Sequence, residues 1–401
     1  MMPPIRITTL ACIGSLAISS ARAVPPASSP SIPSQQQLDA SITRGIDFLV
    51  AHQNKNGSWG SATRTKGHNI YAPLPGAHDA FRAGATGLAL SGLIDTRDTR
   101  PDTSAAIQRA AGWVRSELPK LRRADTTTTY TVWGHAYGLR AITRLHRISQ
   151  DNPARQSWAL LAQQQIDIAN RYHDVNGGWG YLDLFDEIAT QRPSGLPTSF
   201  TTATLLLAMA EARDAMNLKL DDAITSRAIQ GIRMQRNPDF TYAYSFPHRM
   251  RPRSEINRPA GSLSRSQVCN AALRVFGDEL VTDEVLTTWA NRFLAREGFL
   301  NMTRKRPVPH EGPFKIAGYF YYYGAWYFTE AVRHLPQEKH ADYAARLATL
   351  LINLQEKDGS WWDYPLYDYH QPYGTGYSLM ALSWCRDTLM EPAPKSTRSS
   401  E

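Results

Sequence analysis

The sequence predicts an all-α protein built as a ring of six helical hairpins, and three observations carry that reading. First, a seven-residue pattern, Gln-x-x-x-Gly-x-Trp, occurs at Gln53/Gly57/Trp59 and again at Gln355/Gly359/Trp361, each time after an amphipathic run. A fixed pattern repeated in one chain signals a repeat architecture. Second, amphipathic runs with a polar face alternate with small, apolar runs that carry almost no polar stripe, as expected of helices buried on most sides. Third, the apolar runs hold Gly84, Gly87, Gly134, Gly138, Gly318, Gly324, Gly374 and Gly376. Glycine costs about 1 kcal/mol relative to alanine inside a helix. Its concentration in one class of helix points to backbones packed tightly around a centre.

The hairpins follow in order, with a period of roughly 55 to 65 residues. Residues 38–52 form an outer amphipathic helix that ends at the first Gln-Gly-Trp stretch, and residues 80–94 are its inner partner. Residues 103–118 stop before Pro119, where the missing amide hydrogen ends the helix, and pair with 131–145. Residues 155–172 lead into His173/Gly177/Trp179, a copy of the pattern with His in the Gln place, and pair with 198–212. Residues 222–235 pair with 263–276; Gln235 begins a degenerate copy in which Asp239 replaces the Gly and Thr241 the Trp. Residues 283–297 pair with 316–334, and 341–355 with 374–385.

This repeated pattern at the ends of outer helices resembles the terpenoid cyclase and protein prenyltransferase superfamily, which includes the squalene-cyclase repeats. The resemblance spans nearly the whole chain and implies an (α/α)6 toroid with a central cavity open at one end. Its implied motif chemistry is structural: the Gly makes the exit from the helix, the Trp buries a large surface and the Gln amide bonds nearby backbone. With the best copies in the first and last hairpins, Trp59 and Trp361 are expected at the seam where the ring closes. An open crescent would contradict this.

Composition and termini bound the rest. Arg6, the short apolar run 7–18 and Ala21-Arg22-Ala23 read as a secretory signal peptide over 1–23, too short to span a membrane. An uncleaved anchor is the competing reading. Residues 24–37 read as a flexible leader, 38–390 as the toroid domain and 391–401 as a polar tail. The 44 Lys and Arg, less Arg6 and Arg22, against 36 Asp and Glu leave a mature net charge of about +6. That mild excess suits an acidic glycan or anionic surface only weakly. Nucleic acid is not expected of an exported chain without a binding motif. Cys269 and Cys385 sit in apolar helical patterns and read as buried free thiols rather than a disulfide framework.

The cavity of such a toroid is lined from the starts of inner helices and the loops before them. On that rule the candidate catalytic residues are His78, Asp79, His135 and Arg265, with Trp133, Tyr137, Tyr319, Tyr322, Tyr323, Trp326, His370, Tyr373 and Tyr377 as substrate contacts. Asp183, Asp186, Glu187, Asp363 and Asp368 supply further carboxylates. A lone helical histidine such as His135 is more often structural, and an aromatic run such as 319–326 is as often plain core.

Several chemistries can be weighed against these residues. Zinc-dependent prenyl transfer resembles a poor match: Cys269 lacks an Asp two residues before it, and no metal or cofactor is expected. The Asp-x-Asp-Asp of a protonating cyclase is absent too, although the aromatic run would suit a carbocation. Superfamily analogy favours isoprenoid cyclase-like chemistry on a small apolar ligand. One alternative is a secreted polysaccharide lyase or other glycan-active enzyme, with His135 or a tyrosine as base and Arg82 or Arg265 neutralising a uronate. The other is a toroid that binds lipid, glycan or protein without chemistry. A buried carboxyl of raised pKa at the cavity would favour protonation chemistry, a Tyr/His/Arg cluster on an open groove a lyase, and a shallow cavity a binding module.

Overall fold

The computed structural model describes residues 32–63, 65, 72, 76–124, 128, 130–181 and 196–390. The expected signal peptide, the polar tail and Asp183, Asp186 and Glu187 lie outside the described residues, as does most of the leader. Twelve α-helices and no strand occur among the described residues. The outer layer is α1 (Gln35–Ala51), α3 (Pro101–Glu117), α5 (Asn152–Arg171), α7 (Asp222–Gln235), α9 (Asp283–Asn301) and α11 (His340–Asn353). The inner layer is α2 (Gly76–Thr96), α4 (Thr131–Ile148), α6 (Ser199–Met216), α8 (Leu263–Val275), α10 (Phe320–Val332) and α12 (His370–Met390). Helix α1 begins inside the expected leader because Ser34 and Gln37 form a capping box.

Each inner helix packs on the next, and α12 packs back on α2, so the six hairpins close into the (α/α)6 toroid. Outer helices show an apolar stripe, whereas α2, α6 and α12 are buried nearly all round. No helix among the described residues is long and apolar enough to cross a membrane. Cys269 and Cys385 are free and buried, and burial pushes the Cys269 thiol up to about 12.

The repeated pattern is a stitch made three times with the same bonds. The Trp indole N–H donates to a carbonyl of its own outer helix, Leu49, Ala169 or Leu351, at 2.8 Å. The Trp backbone N–H donates to a threonine of the inner helix, Thr86, Thr202 or Thr375. In the full copies the Gln amide crosses to the following outer helix: Gln53 donates to Ala106 O at 2.8 Å, and Gln355 to Ser41 O at 2.9 Å. One heptapeptide therefore ties three helices.

This geometry corrects half of the seam expectation. Gln355 reaches α1, and the Trp361 ring fills space that Gly45 of α1 leaves open, so the last copy does close the ring. The Gln53 amide of the first copy instead joins hairpin 1 to hairpin 2, so that tie does not span the seam. The degenerate fourth copy also starts one residue later than expected. Thr241 O accepts from Asn237 N as Ser58 O does from Asn54 N, and Tyr242 N donates to Ser262 Oγ in the Trp role. Phe240, not Asp239, takes the Gly place at φ +60.

Gly359 turns at φ +89, and a Cβ there would collide with the Arg44 carbonyl oxygen across the seam. Gly359→Ala is expected to cost about 1–3 kcal/mol through left-handed strain and the clash. A urea midpoint unchanged from wild type would contradict a tightly closed seam.

Candidate functional site

The N-terminal halves of five inner helices enclose an aromatic cavity of about 320 Å3. Helical spacing explains which side chains reach it. On α2 the stripe is Phe81, Gly84, Ala85 and Leu88; on α4 it is Trp133 and Tyr137; on α12 it is Tyr373 and Tyr377. Phe200 comes from α6, and Tyr319, Phe320 and Tyr323 from the start of α10. Tyr130, Tyr181, Pro309, His310, Leu366 and Tyr369 complete the wall from loops that enter inner helices or follow the motif. No charged side chain lines it among the described residues.

The hydroxyls in this wall are tied together. Tyr377 donates to Tyr137, and Tyr323 shares a hydrogen bond with Thr204 at 2.8 Å. On another side a chain runs from Tyr181 to Tyr244, from Tyr244 to Tyr319 at 3.3 Å and from Tyr319 to His310 Nε2 at 3.0 Å. His310 Nδ1 lies 2.7 Å from the Lys315 carbonyl, which can only accept. The proton must therefore sit on Nδ1, leaving Nε2 to accept from the Tyr319 hydroxyl. Burial, and to a lesser degree nearby cations, hold His310 below its usual pKa, so the ring is neutral. His310 itself adopts φ +61, a conformation uncommon for residues other than glycine.

Behind this chain lies Arg265, 1% exposed and with no acidic partner in an ion pair among the described residues. Its guanidinium donates to the Gly261, Tyr242 and Ile256 carbonyls and sits 5.4 Å from the Tyr244 ring centre. Burial pushes its pKa down to about 10, still cationic at neutral pH.

Six of the expected contacts line the cavity: Trp133, Tyr137, Tyr319, Tyr323, Tyr373 and Tyr377. Three do not. Tyr322 and Trp326 are spaced four apart on a different face of α10 from Tyr319 and Tyr323, and Trp326 packs near Arg140 and Arg333. His370 is the first residue of α12 and lies against Trp362.

None of the four expected catalytic residues is in the wall. His135 is two positions from Trp133, which turns it to the outer layer; it bonds Gln165 of α5 at 2.8 Å. Burial lowers its pKa to about 4, so it is a neutral structural histidine. Asp79 points to solvent and pairs with Arg82 at 3.1 Å. His78 lies behind Tyr369, 3.0 Å from its hydroxyl, and Arg265 lies behind Tyr244. The residue missed was His310. It sits in the loop before an inner helix, so the placement rule covered it, but no periodicity marked it.

The other end of the ring is plugged by charge. Arg140 of α4, 2% exposed, donates to Glu211 of α6 and Glu330 of α10 at 3.0 Å each. Arg144 grips Asp95 of α2 with two hydrogen bonds. Among the described residues this cluster closes the end of the ring away from the loops that line the cavity.

No family model matches the chain, and no curated protein matches it in sequence. Solved structures do match in fold. Cellobiose 2-epimerase from Spirochaeta thermophila has a TM-score of 0.58 at 15% identity, over 89% of this chain and 97% of that one. The α-1,6-mannanase GH76A from a Salegentibacter species gives 0.53 at 13%, over 88% and 99%. A D-mannose isomerase gives 0.54 at 12%, over 90% and 99%. All three are named for acting on sugars. At these identities the likeness establishes the α/α toroid and no finer relationship, and the expected terpenoid-cyclase affinity is supported only to that coarser level.

Proposed function

We propose that this toroid is a glycan-active enzyme that binds an uncharged sugar in the aromatic cavity and moves a proton on it. The observation that carries the reading is the neutral imidazole of His310 bonded to Tyr319 within a wall of aromatic rings. Aromatic faces stack on the apolar faces of sugar rings, and tied phenols offer directed polar contacts. Burial raises Tyr319 well above the ordinary phenol pKa, so it keeps its proton until the step itself, when it passes that proton to His310 as it takes one from a sugar carbon or hydroxyl. Structural neighbours named as sugar epimerases and an isomerase support the same direction.

Two other glycan chemistries fit less well. Neutralising a uronate needs a cation in the wall, and Arg265, which stands behind Tyr244, is committed to backbone carbonyls. Hydrolysis through paired carboxylates needs two acids about 5–10 Å apart beside the bond. No carboxylate lines the cavity among the described residues. An apolar isoprenoid ligand is the second reading, favoured by the preponderance of ring carbon in the wall.

The test is incubation with neutral aldoses and disaccharides in deuterated water, followed by NMR. Incorporation of solvent deuterium at a sugar carbon, with an epimer or ketose appearing, is the expected result. Retention of a polyisoprenoid in native mass spectrometry, with no sugar exchanged, would replace this reading with the second one.

A further inference from the structure

Asp363 is a buried acid that the reading above leaves unused. It is 0% exposed, lies in the segment between the last motif copy and α12, and forms no ion pair among the described residues. Its carboxylate oxygens meet two donors: the Tyr373 hydroxyl on one and the Tyr322 backbone N–H, at 3.0 Å, on the other. Tyr373 lines the cavity. A solvent-free carboxyl without a cation thus stands directly behind a phenol of the wall. Burying a lone carboxylate is costly, and the group relieves the cost by taking a proton.

We propose that Asp363 and Tyr373 form the proton-donating side of the cavity, with Tyr373 as the group that touches the sugar and Asp363 as the residue that positions and recharges it. The assignment rests on the sugar reading for its substrate and on this geometry alone for the couple. In the donating step a Tyr373 O–H bond breaks as a new O–H bond forms on a sugar oxygen. With Asp363 protonated the hydrogen bond runs the other way, from the carboxyl O–H to the phenol oxygen, so the Asp363 proton moves to Tyr373 and Asp363 stays ionised until the return half. The proton taken from a sugar carbon passes through Tyr319 to His310 and leaves an enediol; in the return half His310 delivers a proton, exchanged with water, through Tyr319 to a carbon while the added O–H proton goes back to Tyr373, so the turnover balances. Acid and base then come from different hairpins, Tyr373 from α12 and Tyr319 from the entry to α10. The cavity places both around one ligand.

The charged and titratable groups facing Asp363 are few. Tyr373 is on α12, Tyr322 on α10, Tyr364 is adjacent in sequence, and Arg304 approaches from the segment after α9. Burial is the largest influence and raises the Asp363 pKa to about 7, against the opposing pull of Tyr373, Tyr322 N–H and Arg304. Removing the Tyr373 hydroxyl must then raise it further.

The experiment is carbon-13 NMR titration of the full-length protein labelled at aspartate carboxyls, which needs no substrate. One carboxyl is expected to titrate near neutral pH, to disappear in Asp363→Asn and to move to higher pH in Tyr373→Phe. If every aspartate titrates in the usual acidic range, or if Tyr373→Phe leaves the midpoint unmoved, the couple does not exist. Where the titration is as expected and a sugar substrate is in hand, Asp363→Asn should lower turnover about 100-fold and abolish the alkaline limb of its pH profile. An unchanged alkaline limb would overturn the donating role. A sugar screen that stays negative beside the expected titration bears on the sugar reading and not on the couple.

Discussion

Arg140→Met is expected to destabilise the protein by about 3–5 kcal/mol, read as a lower urea midpoint. Arg140 is held by Glu211 and Glu330 across the closed end of the ring, and its charge is almost wholly out of water. Burial works against the cation, but the two carboxylates outweigh it and keep its pKa above the ordinary value. Deleting the guanidinium leaves Glu330, among the described residues, with the more exposed Arg333 as its ion-pair partner, while Glu211 keeps Arg144 and Arg147. The cost is the stranded charge rather than the lost volume, since Met fills much of the space beside Trp326. The control is the triple change Arg140→Met, Glu211→Gln, Glu330→Gln, which should recover part of the loss. If the single change costs nothing, the plug is not what holds this end closed.

The same cluster sets an acid limit. Burial would raise Glu211, but Arg144, Arg140 and Arg147 pull it down from 4.5 to about 2. A depressed folded pKa gives stability that is present above 4.5 and lost as pH falls toward about 2. Asp363 has the opposite sign. Its folded pKa lies above the ordinary 3.8, so its contribution is most favourable below that value and declines as pH rises through about 7.

His310→Asn is the second large effect: turnover of the sugar substrate is expected to fall about 100- to 10,000-fold, with KM little changed. Asparagine tolerates the left-handed backbone that His310 occupies, so the loop should keep its shape. What is lost is the acceptor for the Tyr319 proton. Tyr319→Phe should lose a similar factor, and the double variant should lose little more than either alone, because the two act as a unit. Rates multiplying in the double variant would separate them, and a rise in KM with unchanged turnover would reduce His310 to a binding contact.

How much of this was legible in advance differs by level. The two full motif copies gave the repeat, and the Gly-rich inner helices gave close packing. The seam was half legible: both copies are alike in sequence, but each reaches forward to the next outer helix, so only the copy in the last hairpin spans the closure. The fourth copy was misread by one residue because its Gly and Trp are replaced, and only its turn hydrogen bonds reveal the register. The site was less legible. Inner helices are buried nearly all round, so periodicity does not say which face sees the cavity. His135 and Trp133 are two positions apart, and one turns outward to Gln165 while the other lines the wall.

Sequence alone determined the class of fold, the number of hairpins and the tie between them, because these depend on local periodicity and on residues whose backbone or bulk permits few alternatives. Tertiary structure decided which of the expected side chains meet in the cavity and which turn away from it. The groups proposed to work there, His310, Tyr319, Tyr373 and Asp363, come from separate loops and helix starts that become neighbours only when the ring closes. Their protonation follows from burial, which is a property of the packed molecule and not of any stretch of chain.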